Sequence, residues 1–304
     1  MPPEILIITG PTGVGKTEVA VELAMRLGTE IISADSMQVY THLSIGTAKP
    51  SAQELRGIPY HLIDHVAPGT QYNVGRFLRE AEPIIARLRA EEKLPILCGG
   101  TGLYLRALLH GVFEGGGADE EIRAQLEERA TREGLAPLYK ELISIDPAPK
   151  HIMPNDRQRV LRALEVYYST GKPITTLQTQ SVAAPRFRAK TFILERPRVE
   201  LYERINARVH QMLQHGLLDE VRHYLSAGLT RDNPALNALG YAEMIFHLGG
   251  SLTIEEATTA MQQKSRNYAK RQMTWFRSMK DASVVPISDK SATRAAEEIH
   301  AAID

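Results

Sequence analysis

EILIITGPTGVGKT, residues 4–17, decides how the chain is read. The apolar run at 4–9 fits a short buried strand. From residue 16 the pattern changes to helical spacing, with Val19, Ala20, Leu23 and Leu27 on one face. Between the two, GPTGVGKT matches GxxxxGKT in the context that gives the motif its meaning, after a strand and opening a helix. Gly10, Pro11, Thr12, Gly13, Val14, Gly15, Lys16 and Thr17 are therefore expected to hold a diphosphate or a nucleotide. Backbone N–H groups of Gly13, Gly15 and Lys16 can wrap phosphate oxygens, and the helix N-terminus adds positive potential. Lys16 brings a mobile charge, and Thr17 an oxygen for Mg2+. The competing reading is a glycine turn without function.

Outward from this stretch, apolar runs recur at 30–33, 61–63, 94–98, 191–194 and 284–287, with helical stretches between them. That alternation predicts an α/β fold, a P-loop NTPase-like doubly wound parallel sheet. The helix expected over 73–92 carries Pro83 inside it, which predicts a kink or a break. After Gly111 the alternation stops. EEIRAQLEERA, APLYKELISI and NDRQRVLRALEVYYSTG are all helical in period, so residues 114–186 are expected to form a helical insertion domain in a core made of 1–113 and 187–304. GGG at 115–117 and PRFR near 185 are expected hinges.

Lys plus Arg and Asp plus Glu both number 36, so no global field draws in a polyanion and any such partner must meet a local patch. The one cysteine, Cys98, excludes an intrachain disulfide and a CxxC zinc pair. The N-terminal stretch has no basic n-region, and no run approaches the roughly 20 apolar residues of a membrane span. A cytoplasmic protein away from membranes is expected.

Two further segments end strands. ADSMQVY at 34–40 places Asp35 at the carboxyl end of the second strand, the edge that faces the ligand crevice of an open α/β sheet. Asp35 is a candidate general base; the bland alternative is a turn cap. Ser36 and Gln38 are neighbours of the kind that read a base edge. Asp64 competes for the acid or metal role. CGGTGLYLRAL at 98–108 offers two glycines for close backbone approach and Thr101 as a hydroxyl or a plain N-cap. Finally, 264–280 holds six Lys or Arg and no acid, with Tyr268, Trp275 and Phe276 interleaved, a mix suited to phosphates and unpaired bases. Arg157, Arg159 and Arg162 share another helix.

Taken together, GPTGVGKT, ADSMQVY, GTAKP at 46–50, GGTGLYLRALL, PNDRQRVLRALEVYYSTGKPIT at 154–175, ALGYAEM at 238–244 and RQMTWFR at 271–277 resemble the bacterial tRNA dimethylallyltransferases, in the family's order and over nearly the whole chain. The family more often has Lys or Gln where this chain has Ala242, and Ala where it has Gly13. The zinc-finger tail of eukaryotic relatives is not expected. The resemblance implies transfer of a dimethylallyl group from its diphosphate to N6 of the adenine 3′ to the anticodon of tRNA, so that the loop at 10–17 grips a leaving group with Mg2+ rather than ATP. It further implies that Asp35 and Thr101 act in catalysis. Asp35, Ser36, Met37, Gln38, Thr101 and Arg123 would contact tRNA, with Gln158, Arg159 and Arg162 on the anticodon stem-loop. A monomer is expected. Rival readings are a P-loop small-molecule kinase, an RNA-binding NTPase switch and a prenyltransferase acting on free adenylates.

Overall fold

An all-apolar strand has to be covered on both faces, and residues 5–8 form one, each of them fully buried. The computed structural model describes residues 2–112, 119–147, 152–180, 185–230, 233–279 and 281–303. In chain order the elements are β1 (Ile5–Thr9), α1 (Lys16–Leu27), β2 (Ile31–Ser33), α2 (Ala52–Leu55), β3 (Tyr60–His61), α3 (Val74–Ala90), β4 (Ile96–Cys98) and α4 (Gly102–His110). Next come α5 (Glu120–Glu133), α6 (Leu135–Ile145), α7 (Arg157–Thr170) and α8 (Ile174–Gln180). The chain closes with β5 (Ala189–Glu195), α9 (Arg198–Gln214), α10 (Leu217–Ser226), α11 (Tyr241–Leu248), α12 (Ile254–Phe276), β6 (Ala282–Pro286) and α13 (Ala292–Ala301).

The six strands make one sheet in the order β3-β2-β4-β1-β5-β6, and every pairing is parallel. The expected α/β class and parallel sheet therefore hold. The order reverses about β1, so the loops after β1, β2 and β4 meet at one edge, where such sheets bind ligands. Pro286 sits in β6, an edge strand, where its missing N–H breaks no ladder on the open side.

By its contacts the chain divides into two compact units, residues 1–108 with 187–304, and residues 109–186. The first holds the sheet. Leu6, Ile8, Val19, Leu23, Phe192 and Ile299 belong to its main core, and a second core gathers Val39, Tyr40, Leu217, Tyr241 and Met261. The second unit contains α5 to α8 around Leu126, Leu138, Val160 and Leu164. The glycines at 115–117 lie outside the described residues.

One local expectation fails. α3 runs without a break through Pro83. A proline inside a helix costs about 3 kcal/mol, but Phe77, Leu78, Ala81, Ile85 and Leu88 are buried on both sides of it, and burying five such side chains outweighs the lost hydrogen bond. The terminal strands shift slightly from their expected bounds: β3 begins at Tyr60, and β6 spans 282–286.

Leu164, fully buried in the second unit, gives a test of that core. Leu164→Ala should cost about 2–5 kcal/mol of stability in denaturant unfolding; a loss below about 1 kcal/mol would contradict the packing described.

Candidate active site

Three neighbouring strands deliver the site. Behind their ends, Ala34 N–H donates to the Cys98 carbonyl, Gly99 N–H to the Ile8 carbonyl, and the Thr9 hydroxyl to the Gly99 carbonyl at 2.8 Å. These bonds lock the loops after β1, β2 and β4 edge to edge.

In the first loop four backbone carbonyls are met by cations. Gly10, Gly13 and Gly15 take φ of 146°, 81° and 106°, a region closed to most side chains. A Cβ on Gly10 would stand 2.6 Å from the Leu194 carbonyl oxygen. Lys16 Nζ donates to the carbonyls of Gly10 and Pro11, both at 2.9 Å. Arg204 Nε donates to the Gly13 carbonyl and Arg196 Nε to that of Val14, both at 3.0 Å. With four carbonyls held by cations, α1 begins at Lys16 behind Gly15, which offers no side-chain cap, so its first N–H groups remain for an anion. Burial pushes the Lys16 ammonium down to about 8, opposed by the nearby Cys98 and Asp35 and reinforced by Arg208.

Asp35 follows β2. Its Oδ1 accepts from the N–H of Met37 at 2.8 Å and of Gln38 at 3.2 Å, so it does cap a turn. That bonding uses one oxygen only, and the second has no hydrogen bond among the described residues. The carboxylate also acts on Lys16, Arg208, Tyr60 and Tyr268, four groups from four separate elements. Burial lowers the Arg208 guanidinium, and Asp35 is the largest opposing charge. Burial raises Tyr60 well above its usual value, with Cys98 and Asp35 adding and a hydrogen bond to Thr17 opposing. Thr101, expected as an N-cap or a ligand contact, has its hydroxyl across the gap between loops, accepting from the Ser36 N–H at 3.2 Å, while its own N–H donates to the Ala34 carbonyl. Burial, with Asp35 adding, raises the Tyr268 phenol to about 12, while Arg271 and Thr101 oppose the rise.

Beside this cluster, segment 38–49 is fastened in place. Gln38 commits its amide N–H₂ to the carbonyls of Thr47 and Ala48. Asp64 is bound to Lys49 and to the His42 N–H, which makes it part of the same scaffold. Glu220 takes the N–H groups of Ser44, Ile45 and Gly46 at 2.8, 2.9 and 3.1 Å, and the Tyr241 hydroxyl at 2.6 Å. Met37 is half-buried against the second core.

Of the basic stretch, residues 264–276 form the end of α12. Lys264 is paired with buried Glu243, and Arg266 bonds Asn206 and Gln263. The outward face keeps Lys270 and Arg271, which with Asn267, Thr274, Trp275 and Ser278 line a cavity of about 570 Å³. In the second unit Gln158 and Arg159 are exposed on the first turn of α7, Arg159 pairing with Asp156. Arg162 pairs with buried Glu165, and Arg157 with Glu127. Arg123 lies half-buried on α5. Among the described residues no three His, Cys, Asp or Glu cluster as a metal cage, and no described helix is long and apolar enough to cross a membrane.

Sequence reasoning missed Arg196, Arg204, Arg208, Tyr60 and Glu220. A lone Arg on an amphipathic helix carries no mark of its partner, and each of these reaches the site from far away in the chain.

The model of the IPP transferase family matches residues 38–279, and that of the isopentenyl transferases residues 3–66. The tRNA dimethylallyltransferase of Syntrophobacter fumaroxidans is 47% identical over 90% of this chain and 80% of its own length. That of Alkaliphilus metalliredigens is 42% identical over 98% and 96%. The chain belongs to the tRNA dimethylallyltransferase family. It is thereby an enzyme of the prenyltransferase class. Among solved structures, the tRNA isopentenylpyrophosphate transferase of Bacillus halodurans superposes with a TM-score of 0.72 at 40% identity, covering 98% of this chain and 95% of that one. A eukaryotic dimethylallyltransferase acting on tRNA gives 0.83 at 28% identity, covering 98% and 79%. Gly13 has a φ of +81°, and a Cβ there would come 3.0 Å from Ile205 Cγ1. Nothing in the structure explains Ala242.

Glu220→Ala leaves three N–H groups without their acceptor and should lower stability by about 2 kcal/mol or more in denaturant unfolding; an unchanged midpoint would show that the clamp is dispensable.

Proposed function

We propose that this chain transfers the dimethylallyl group of dimethylallyl diphosphate to N6 of the adenine 3′ to the anticodon in tRNA. The observation that carries the reading is the placing of Asp35 and the loop at 10–17 on the ends of strands separated only by β4, close enough that the carboxylate acts on the ammonium of Lys16. A nest for a diphosphate and an acceptor for a proton thus share one crevice.

The reaction breaks the bond between carbon 1 and the diphosphate oxygen and forms one between carbon 1 and N6. The N–H groups that open α1, with Lys16, receive the negative charge that builds on the departing diphosphate. Arg208, half-buried beside Asp35, adds a further positive charge. Thr17, the second residue of α1, fits the donor set of Mg2+, which takes one or two protein oxygens and completes its shell with phosphate and water. When bound, that ion supplies further neutralising charge to the leaving group. An exocyclic amine is a weak nucleophile until its proton is taken, and the second oxygen of Asp35 is placed to take it as the new bond forms. The adenine must leave its stack to reach this pocket. Thr101 and Ser36, bonded to each other beside Asp35, are available to hold its edge, and the outward face of α12, with Lys270, Arg271 and Trp275, suits phosphates and an unstacked base. In the second unit the resemblance assigns Gln158, Arg159 and Arg162 to the anticodon stem-loop and Arg123 to a tRNA contact; Arg159 is more exposed than Arg162. A cytoplasmic site of action follows from the substrate.

Labelled dimethylallyl diphosphate with Mg2+ and unmodified tRNA should place label in the tRNA. ATP alone should not be consumed and free AMP should not be labelled; ATP turnover without transfer would select a kinase. Asp35→Asn should keep donor binding and lower turnover by about 10²–10⁴-fold; unchanged turnover would exclude it as the base.

The lowered Lys16 sets a pH dependence. The free protein loses the Lys16 proton as pH rises through about 8, and the bound diphosphate favours the charged form. The Kd for dimethylallyl diphosphate should therefore rise above pH 8, by at most about tenfold per pH unit. A constant Kd from pH 7 to 9.5 would show that this cation does not meet the phosphates.

A further inference from the structure

α12 sends one polar side chain into the sheet edge that none of the reacting groups requires. Gln272 is 6% exposed. Its Oε1 accepts the N–H of Thr12, at the crest of the phosphate loop, at 2.8 Å, and its Nε2 donates to the carbonyl of Gly100 at 2.9 Å. The partners fix the orientation of the amide. A backbone N–H needs an acceptor and a carbonyl needs a donor, so a carboxamide serves both ends where a carboxylate or a thioether cannot. Gly100 leaves the room for it, because a Cβ there would run into the Gln272 amide.

The bridge joins the two halves of the site. Gly100 leads into Thr101, whose hydroxyl accepts from Ser36 and whose N–H donates to Ala34. Hydrogen bonds therefore run from the phosphate loop through Gln272 to the loop that presents Asp35. Among the described residues no other side chain bonds both to residues 10–15 and to residues 99–101.

We infer that Gln272 is a positioning residue that sets the separation between the nest for the leaving diphosphate and the Thr101–Asp35 edge that meets the amine. This deepens the proposed transfer and rests on it. A displacement at carbon needs nucleophile and leaving group held in line, and a shift of about 1 Å in such an arrangement costs on the order of 10²-fold in rate. A residue that merely stabilised the fold would lower stability and leave turnover of the folded protein alone.

Gln272→Met keeps the volume and removes both bonds. In the full-length protein, the folded variant should transfer label to tRNA with kcat lowered about 10²-fold while KM for donor and tRNA changes little. A kcat within a few-fold of wild type would overturn the inference, as would a loss expressed wholly in KM. Amide exchange on the wild-type protein decides the matter should the variant fail to fold. The Thr12 N–H should be strongly protected without any ligand, and exchange at the rate of an open loop would overturn the bridge. If the wild type puts no label into tRNA while Thr12 is protected, the proposed reaction falls and the bridge stands.

Discussion

A phosphate loop works only if its N–H groups point inward, and a peptide that turns its N–H inward must turn its carbonyl somewhere else. Here those carbonyls meet cations. Lys16 takes Gly10 and Pro11, Arg204 takes Gly13, and Arg196 takes Val14. Two of the three cations, Arg196 just after β5 and Arg204 in α9, come from a segment about 190 residues away in sequence. The three positive-φ glycines make the turn possible, and these contacts give it one shape.

The parallel sheet then decides what else can reach the nest. With β4 between β1 and β2, the loops that carry Thr101 and Asp35 lie in successive positions beside residues 10–17. Charges from several elements act at one carboxylate: Lys16 from the start of α1, Arg208 from within α9 and Tyr268 from within α12. Such crowding of titratable groups by burial and charge marks functional sites more often than structural ones. The scaffold behind it is also polar. Glu220 holds three N–H groups of the segment that follows Asp35, and Lys49 with Asp64 ties that segment to the loop after β3.

Local chemistry was legible in the sequence. The strand–turn–helix at 4–17, the acidic residue ending β2 and the helical character of 120–170 are all written in short-range pattern, and the family motifs span most of the chain. What was not legible depended on distant partners. Short-range pattern does not separate Asp64 from Asp35; the ion pair of Asp64 with Lys49 does. Gln38, read as a base-reading amide, has its N–H₂ on two backbone carbonyls. Pro83 suggested a broken helix because propensity was visible and the burial of Ile85 and Leu88 was not. Gln272 sits among the charges and aromatics of 264–280, and nothing in its neutral amide marks the Thr12 and Gly100 that it bridges. The six cations of 264–280 likewise looked equivalent, whereas Lys264 and Arg266 have fixed partners within the fold.

The account as a whole stands on the loop at 10–17 receiving a diphosphate in the crevice that Asp35 faces, and a crystal structure of this chain soaked with pyrophosphate tests that most directly. It should show phosphate oxygens on the N–H groups of Gly13, Gly15 and Lys16, with Lys16 Nζ moved from the carbonyls of Gly10 and Pro11 onto the anion, and the free oxygen of Asp35 opening onto the same space. Pyrophosphate bound elsewhere, or a nest still closed by Lys16 with Asp35 walled off from it, would contradict the account.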